Sequence, residues 1–140
     1  MIDFVYNTNF QLENHRVFSR WLVEVAAAEN CLIHDLVFLF VSDQELLAMN
    51  KKYLKHNYFT DVITFGELEG DKISGNIAIS VDRVLDNSKT YDVSFDEELK
   101  RVMVHGLLHI IGYNDKTKKE KLTMSQKETD ALKMFHVKQV

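Results

Sequence analysis

Residues 101–116 read RVMVHGLLHIIGYNDK, and their pattern decides the fold. Val102, Val104, Leu107, Leu108, Ile110 and Ile111 make the segment apolar nearly all round. That predicts a helix sunk in a core rather than one lying on the surface. Ser94 with Glu97 is an S-x-x-E capping box ahead of it, and Gly112 supplies the usual left-handed stop. The helix should therefore end at about Ile111. Gly106 stands in its middle, where glycine costs about 1 kcal/mol against alanine, so a neighbour must approach the backbone closely there. His105 and His109 are four residues apart and stack on one helix face, about 6 Å apart along the axis. Two neutral imidazoles so placed can share one metal ion. Burial strengthens this reading, because a buried histidine must find a partner and two side by side cannot both be charged cheaply. Asn114 and Asp115 follow the stop, and a tight reversal would let one of them supply a third ligand. A carboxylate is a better zinc ligand than a neutral amide. In H-E-x-x-H peptidases a glutamate follows the first histidine as general base; here that position is Gly106, which removes most support for a peptidase.

The rest of the chain supplies a sheet for this helix to pack on. Ile2, Phe4 and Tyr6 alternate with Asp3 and Val5 as a first strand. Val17, Phe18, Trp21, Leu22 and Val25 recur at spacings of three and four, predicting a helix over about residues 13–29. Residues 35–41 (DLVFLFV) are apolar on both faces, as a buried central strand should be. Ser42 with Glu45 opens a helix whose buried stripe is Leu46, Met49 and Tyr53. Residues 61–66 and 73–80 are β-rich runs joined by a turn at Glu69, Gly70 and Asp71, hence a hairpin. Residues 81–89 have room for a short helix. Thr117 with Glu120 opens a last helix, expected to run through Phe135. The expected fold class is α+β: a small mixed sheet of about four strands with helices packed on it, in the order β-α-β-α-β-β-α-α.

Composition sets the outer limits. With 140 residues the chain suits one domain over positions 1–140, burying roughly two-thirds of its unfolded surface. Hydrophobic residues make up 46% and charged residues 27%, which excludes disordered and collagen-like classes. Lys+Arg is 17 against 21 Asp+Glu, a net charge of −4, so nucleic acid can be met only through a local basic patch. Cys31 is the single cysteine, ruling out an internal disulfide and any thiol-rich zinc site. The longest apolar run, LVFLFV at 36–41, is too short to cross a bilayer. The N-terminus, MIDFVYNTNF, has no basic region ahead of an apolar stretch, so no signal peptide is read. A reducing, cytoplasmic setting is expected.

The segment H-G-L-L-H-I-I-G-Y-N-D at 105–115 resembles the H-G-x-L-H-L-x-G-Y-x-x-H signature of the YbeY family of metal-dependent endoribonucleases that mature ribosomal RNA. N-K-K-Y at 50–53 with T-D-V-I-T-F at 60–65 resembles that family's N-x-x-Y-R…P-T-D-V-L-S-F, and G-N-I-A-I-S at 75–80 its G-D-I-x-I-S. Order and spacing agree along nearly the whole chain. The resemblance implies an endoribonuclease acting on ribosomal RNA precursors and ribosomal subunits, with one Zn²⁺ held by His105, His109 and Asp115. Asp115 stands where the family has a third histidine, and its oxygen donor makes Mn²⁺ or Fe²⁺ more competitive. Leu54 stands where the family has an arginine, Phe59 where it has a proline, and Asn76 where it has an aspartate.

The loss of the arginine turns attention to other cations. Lys51, Lys52, Lys55 and His56 cluster beside the second motif, and Lys116 adjoins the third ligand. They are the candidate RNA-phosphate contacts, although cations at a helix C-terminus also need no ligand to explain them. Lys118, Lys119 and Lys121 extend the cluster around Lys116. Asp61 and Thr64 are candidates to line the cleft; a strand-capping aspartate and an ordinary β-former are the competing explanations. His15, His34 and His136 have no partner spacing and are expected at the surface or in packing. The general base is unassigned. The rival readings are a non-catalytic ribosome assembly factor with a structural metal, and a metal hydrolase of another substrate.

Overall fold

The computed structural model describes residues 1–135. Along the chain the elements are β1 (Ile2–Tyr6), α1 (His15–Ala28), β2 (Leu32–Val41), α2 (Asp43–Leu54), β3 (Val62–Glu69), β4 (Lys72–Ser80), α3 (Val81–Thr90), α4 (Phe95–Ile111) and α5 (Lys118–Lys133). The strands form one sheet in the order β1-β2-β4-β3. β1, β2 and β4 are parallel, and β3 returns antiparallel to β4 through a tight hairpin with Glu69 opposite Lys72. Gly70, at φ 65, provides the turn.

The element order agrees with the sequence reading, with one addition. The stretch 81–89, left out of the eight-element order, forms the complete helix α3, because Ser80 at the end of β4 accepts the Arg83 N–H at 3.1 Å and caps it. The three anticipated caps form: Ser42, Ser94 and Thr117 each accept the N–H three residues on. At Thr117 the Glu120 carboxylate also returns the bond, closing the full box.

One face of the sheet carries the core. Leu36, Phe38 and Phe40 of β2 and Ile73, Ile77 and Ile79 of β4 are fully buried with the apolar sides of α1, α4 and α5. The opposite face is covered only at one end, where α2 sets Leu46 against Val41, Ile63 and Ala78. Two expectations are corrected by that half-cover. Val37 and Leu39 of the central strand are half-buried rather than buried. Tyr53, at the end of α2, packs edge-on against Phe65 of β3 at 5.8 Å yet stays 56% exposed, because nothing among the described residues covers its outer side. The last helix also ends earlier than expected, at Lys133. Phe135 leaves it to pack its ring edge-on against Phe18 and Trp21, at centroid distances of 4.9 and 5.1 Å.

α4 lies close on the sheet, and Gly106 is the reason. A Cβ at that position would stand 2.8 Å from Ile77 Cγ2 and 3.2 Å from Thr64 Oγ1. The sheet answers with Gly66, where a Cβ would meet Ile110 Cδ1 at 2.7 Å. The two bare backbones let the histidine face of α4 sit beside edge strand β3.

Candidate metal centre

The site is built by the end of α4 and the turn that follows it. Gly112, at φ 128, ends the helix, its N–H shared by the carbonyls of Leu108 and His109 at 3.1 Å each. The Tyr113 N–H returns to Leu108 O at 3.0 Å, so the chain doubles back along the helix. Both ends of the returning segment are fixed. Tyr113 Oη donates to Glu29 Oε1 at 2.6 Å, with Lys127 Nζ on the other oxygen at 2.9 Å. Thr117 begins α5 with its capping box. Asp115 is held between them.

His105, His109 and Asp115 each point one ligand atom at a common centre, all within 4.8 Å of one another. His105 Nε2 lies 3.0 Å from His109 Nε2, and Asp115 Oδ2 lies 3.3 and 3.4 Å from the two nitrogens. Ligands at 2.0–2.1 Å in a tetrahedron are separated by about 3.3 Å, so these spacings fit one small divalent ion. Asn114, the competing third ligand, is exposed and does not enter the group.

Behind the ligands stands a residue that the sequence reading did not single out. Glu128 of α5, 7% exposed, accepts from His105 Nδ1 at 2.6 Å and from Arg101 at 3.0 Å. A carboxylate accepting at Nδ1 requires the proton there, which leaves the Nε2 lone pair facing the ion position. The signal for it was a polar residue in a helical stripe: Met124, Glu128 and Ala131 are the buried positions of α5.

Electrostatics reinforce the arrangement. Burial works to keep the His105 imidazole neutral, but the Glu128 hydrogen bond and the charges of Glu128, Asp115 and Asp61 outweigh it and raise its pKa. Burial likewise pushes the Asp61 carboxyl above the usual carboxylate range, against the pull of His105 and of its own and Val62's backbone amides. Asp61 and Thr64 both line the cleft, of about 430 Å³, into which the three ligands open. Leu54 lines it too, in the place of the resembled arginine.

The sequence-derived cations lie outside this cleft. Lys51 and Lys52 sit in the last turn of α2, Lys55 caps it, and His56 follows, all exposed. Lys55 adjoins Leu54, and exposed Lys116 adjoins Asp115, so both neighbour cleft-lining residues in the chain. His15 pairs with Tyr6 Oη at 2.7 Å, His34 is exposed, and His136 lies outside the described residues.

A mixed sheet carrying two histidines and one carboxylate that could hold a metal ion beside an open cleft fits the class of metal-dependent hydrolases. Comparison with known proteins agrees and narrows this. The Endoribonuclease YbeY family model matches residues 4–136, and the chain belongs to that family. An Endoribonuclease YbeY of Flavobacterium johnsoniae is 44% identical over 139 residues, covering 99% of this chain and 100% of the relative. One from Karelsulcia muelleri is 47% identical over 128 residues, covering 91% of each. The solution structure of a Thermotoga maritima protein shares the fold, with TM-score 0.68 and 24% identity over 96% of this chain and 89% of that one.

Proposed function

We propose that residues 1–140 form one metal-dependent endoribonuclease domain that cuts single-stranded segments of ribosomal RNA precursors. The observation that carries this reading is the ligand group in an open cleft, in a chain of the endoribonuclease family. His105, His109 and Asp115 hold the ion, Zn²⁺ in the first instance, with Mn²⁺ and Fe²⁺ made competitive by the carboxylate. When bound, the ion supplies Lewis-acid stabilisation of charge on the scissile phosphate and lowers the pKa of water.

The chain's own groups do the rest. Glu128 keeps His105 in the ligating tautomer and is itself held by Arg101. Asp61 and Thr64 form the polar wall of the cleft, and Leu54 an apolar one. Lys51, Lys52, Lys55, His56 and Lys116 hold the strand by its phosphates, fixing register without reading sequence. Ribosomal subunits are the partners this reading implies, and the cytoplasm the compartment; among the described residues no helix is long and apolar enough to cross a membrane.

A purely structural metal is disfavoured by the site's form. Structural zinc sites are closed by four protein ligands, whereas here three ligands face a cleft. The test is end-group analysis of the products from a defined RNA, alongside elemental analysis of freshly purified protein. Stoichiometric metal and discrete internal cuts, both lost in the double mutant His105→Ala/His109→Ala, are expected. Cutting that persists in that mutant would overturn the reading.

A further inference from the structure

The stretch 51–59, K-K-Y-L-K-H-N-Y-F, is exposed at every residue. Tyr53 and Tyr58 are each 56% exposed and Phe59 44%. The stretch contains no acid: after Glu45 the next one is Asp61. Lys51, Lys52 and Lys55 enter no ion pair among the described residues. On a chain of net charge −4, this is a cationic surface whose lysines have no carboxylate partner among the described residues, and whose rings stay largely exposed even where they pack, Tyr53 edge-on to Phe65 at 5.8 Å.

The surface is also tied down by contacts of its own. Asn50, 1% exposed, holds it from beneath: its side chain donates to Tyr58 O at 2.9 Å, and its carbonyl accepts from His56 N at 3.1 Å. The His56 and Tyr58 rings are already stacked, 5.2 Å apart and 19° from parallel, with Tyr58 Oη 2.9 Å from His56 Nδ1. The Arg83 guanidinium lies over the Phe59 ring at 5.5 Å. Rings fixed in place lose little entropy when another flat group stacks on them. The loop leaves Leu54 and arrives at Thr60, both of which line the metal cleft.

We infer that residues 51–59 form a stacking platform for unpaired RNA bases, with Tyr58 as its principal ring and the flanking lysines on the phosphates. This rests on the endoribonuclease reading and adds to it where the strand lies and why it is unpaired. Aromatic faces accept any base that is free to stack, whereas a duplex keeps its base faces covered. The platform therefore selects single strands without selecting sequence.

The test measures binding of the full chain as purified to short 2′-O-methyl oligoribonucleotides by fluorescence anisotropy, with strand integrity checked on gels. Single-stranded, duplex and abasic versions are compared over a range of salt. Tyr58→Ala should weaken single-strand binding by about 5- to 150-fold, the range for one lost base stack. Its salt slope should stay that of the wild type, since no phosphate contact is removed. Tyr58→Phe, which keeps the ring, should retain most affinity, and binding of the abasic strand should not distinguish Tyr58→Ala from wild type. A Tyr58→Ala variant that binds single strands as wild type does would overturn the platform and leave the nuclease reading standing. Duplex bound as tightly as single strand would do the same, as would a change only in self-association. Failure of the wild-type chain to bind any strand would bring down both.

Discussion

Removing the Glu128 charge while keeping its shape tests how the metal centre is organised. In Glu128→Gln the amide fills the same volume, but His105 Nδ1, now 2.6 Å from a carboxylate oxygen, loses its charged acceptor. Loss of a partner of this kind lowers metal affinity by about 10- to 100-fold, or about 1.4 to 2.7 kcal/mol. The structure also fixes how the deficit varies with pH. Metal and proton compete for His105, whose pKa is raised by Glu128, Asp115 and Asp61 together, in opposition to burial. Glutamine removes the largest of those raising influences, so the variant imidazole protonates less readily. Proton competition then falls more heavily on the wild type as the solution is acidified. The deficit should be full above the wild-type His105 pKa and shrink below it. Competitive titration with a chelating dye across that range measures it, with thermal melts of the chelated protein as a check on folding. Equal affinities in alkaline solution, or a deficit constant with pH, would refute the tautomer argument.

Three further outcomes follow from the same geometry. His109→Ala and Asp115→Ala should each lose metal by elemental analysis, while Asn114→Ala should keep it, because only the first two residues reach the common centre. In the chelated protein the raised His105 pKa means that its imidazolium stabilises the fold fully below the unfolded value of about 6.5. That stabilisation is lost as pH rises through the higher folded value, so melting temperature should fall across this window in wild type and not in His105→Ala. Gly106→Ala gains about 1 kcal/mol of helix propensity. Its Cβ would lie 2.8 Å from Ile77 Cγ2, an overlap costing about 1–3 kcal/mol. Denaturant unfolding should show a net loss of up to about 2 kcal/mol together with weakened metal affinity, as α4 is pushed off the sheet.

What could be read in the sequence was whatever a local rule governs. Ser42, Ser94 and Thr117 announced helix starts, because capping is settled within three residues. The mid-helix glycine announced a close approach, and Ile77 and Thr64 make it. The i,i+4 spacing brought His105 and His109 together, because helix geometry alone aligns them, whereas the choice of Asp115 over Asn114 rests on the family resemblance; the three meet as a group that could hold a metal ion. What escaped depends on contacts between distant segments. Tyr53 has the right spacing to be buried, but whether anything covers its outer side is a tertiary fact. Glu128 meets His105 across 23 residues, and only the packing of α5 on α4 brings them together.

The charge of the cleft leads to one more expectation. Asp61 and Asp115 line it, Glu128 lies behind it, and no lysine or arginine lines it among the described residues. With Leu54 in the arginine's place, the bare cleft offers a phosphate no lysine or arginine, only histidines and threonine hydroxyls set beside the two aspartates. A divalent ion on two neutral imidazoles and one carboxylate reverses that, leaving one net positive charge at the centre. Metal and RNA must then bind with positive coupling, and linkage makes the effect reciprocal: each tightens the other by one common factor. A factor of about 5 to 150 is ordinary for such coupling. The platform and its lysines lie outside the cleft, so RNA binding to the chelated protein should be weakened, not abolished. The measurement is the dissociation constant of one 2′-O-methyl strand for chelated and metal-loaded protein, repeated as a metal titration with and without that strand. Equal RNA affinity in the two states would mean that the strand never enters the cleft. In that case the ligand group would have to be explained without a phosphate.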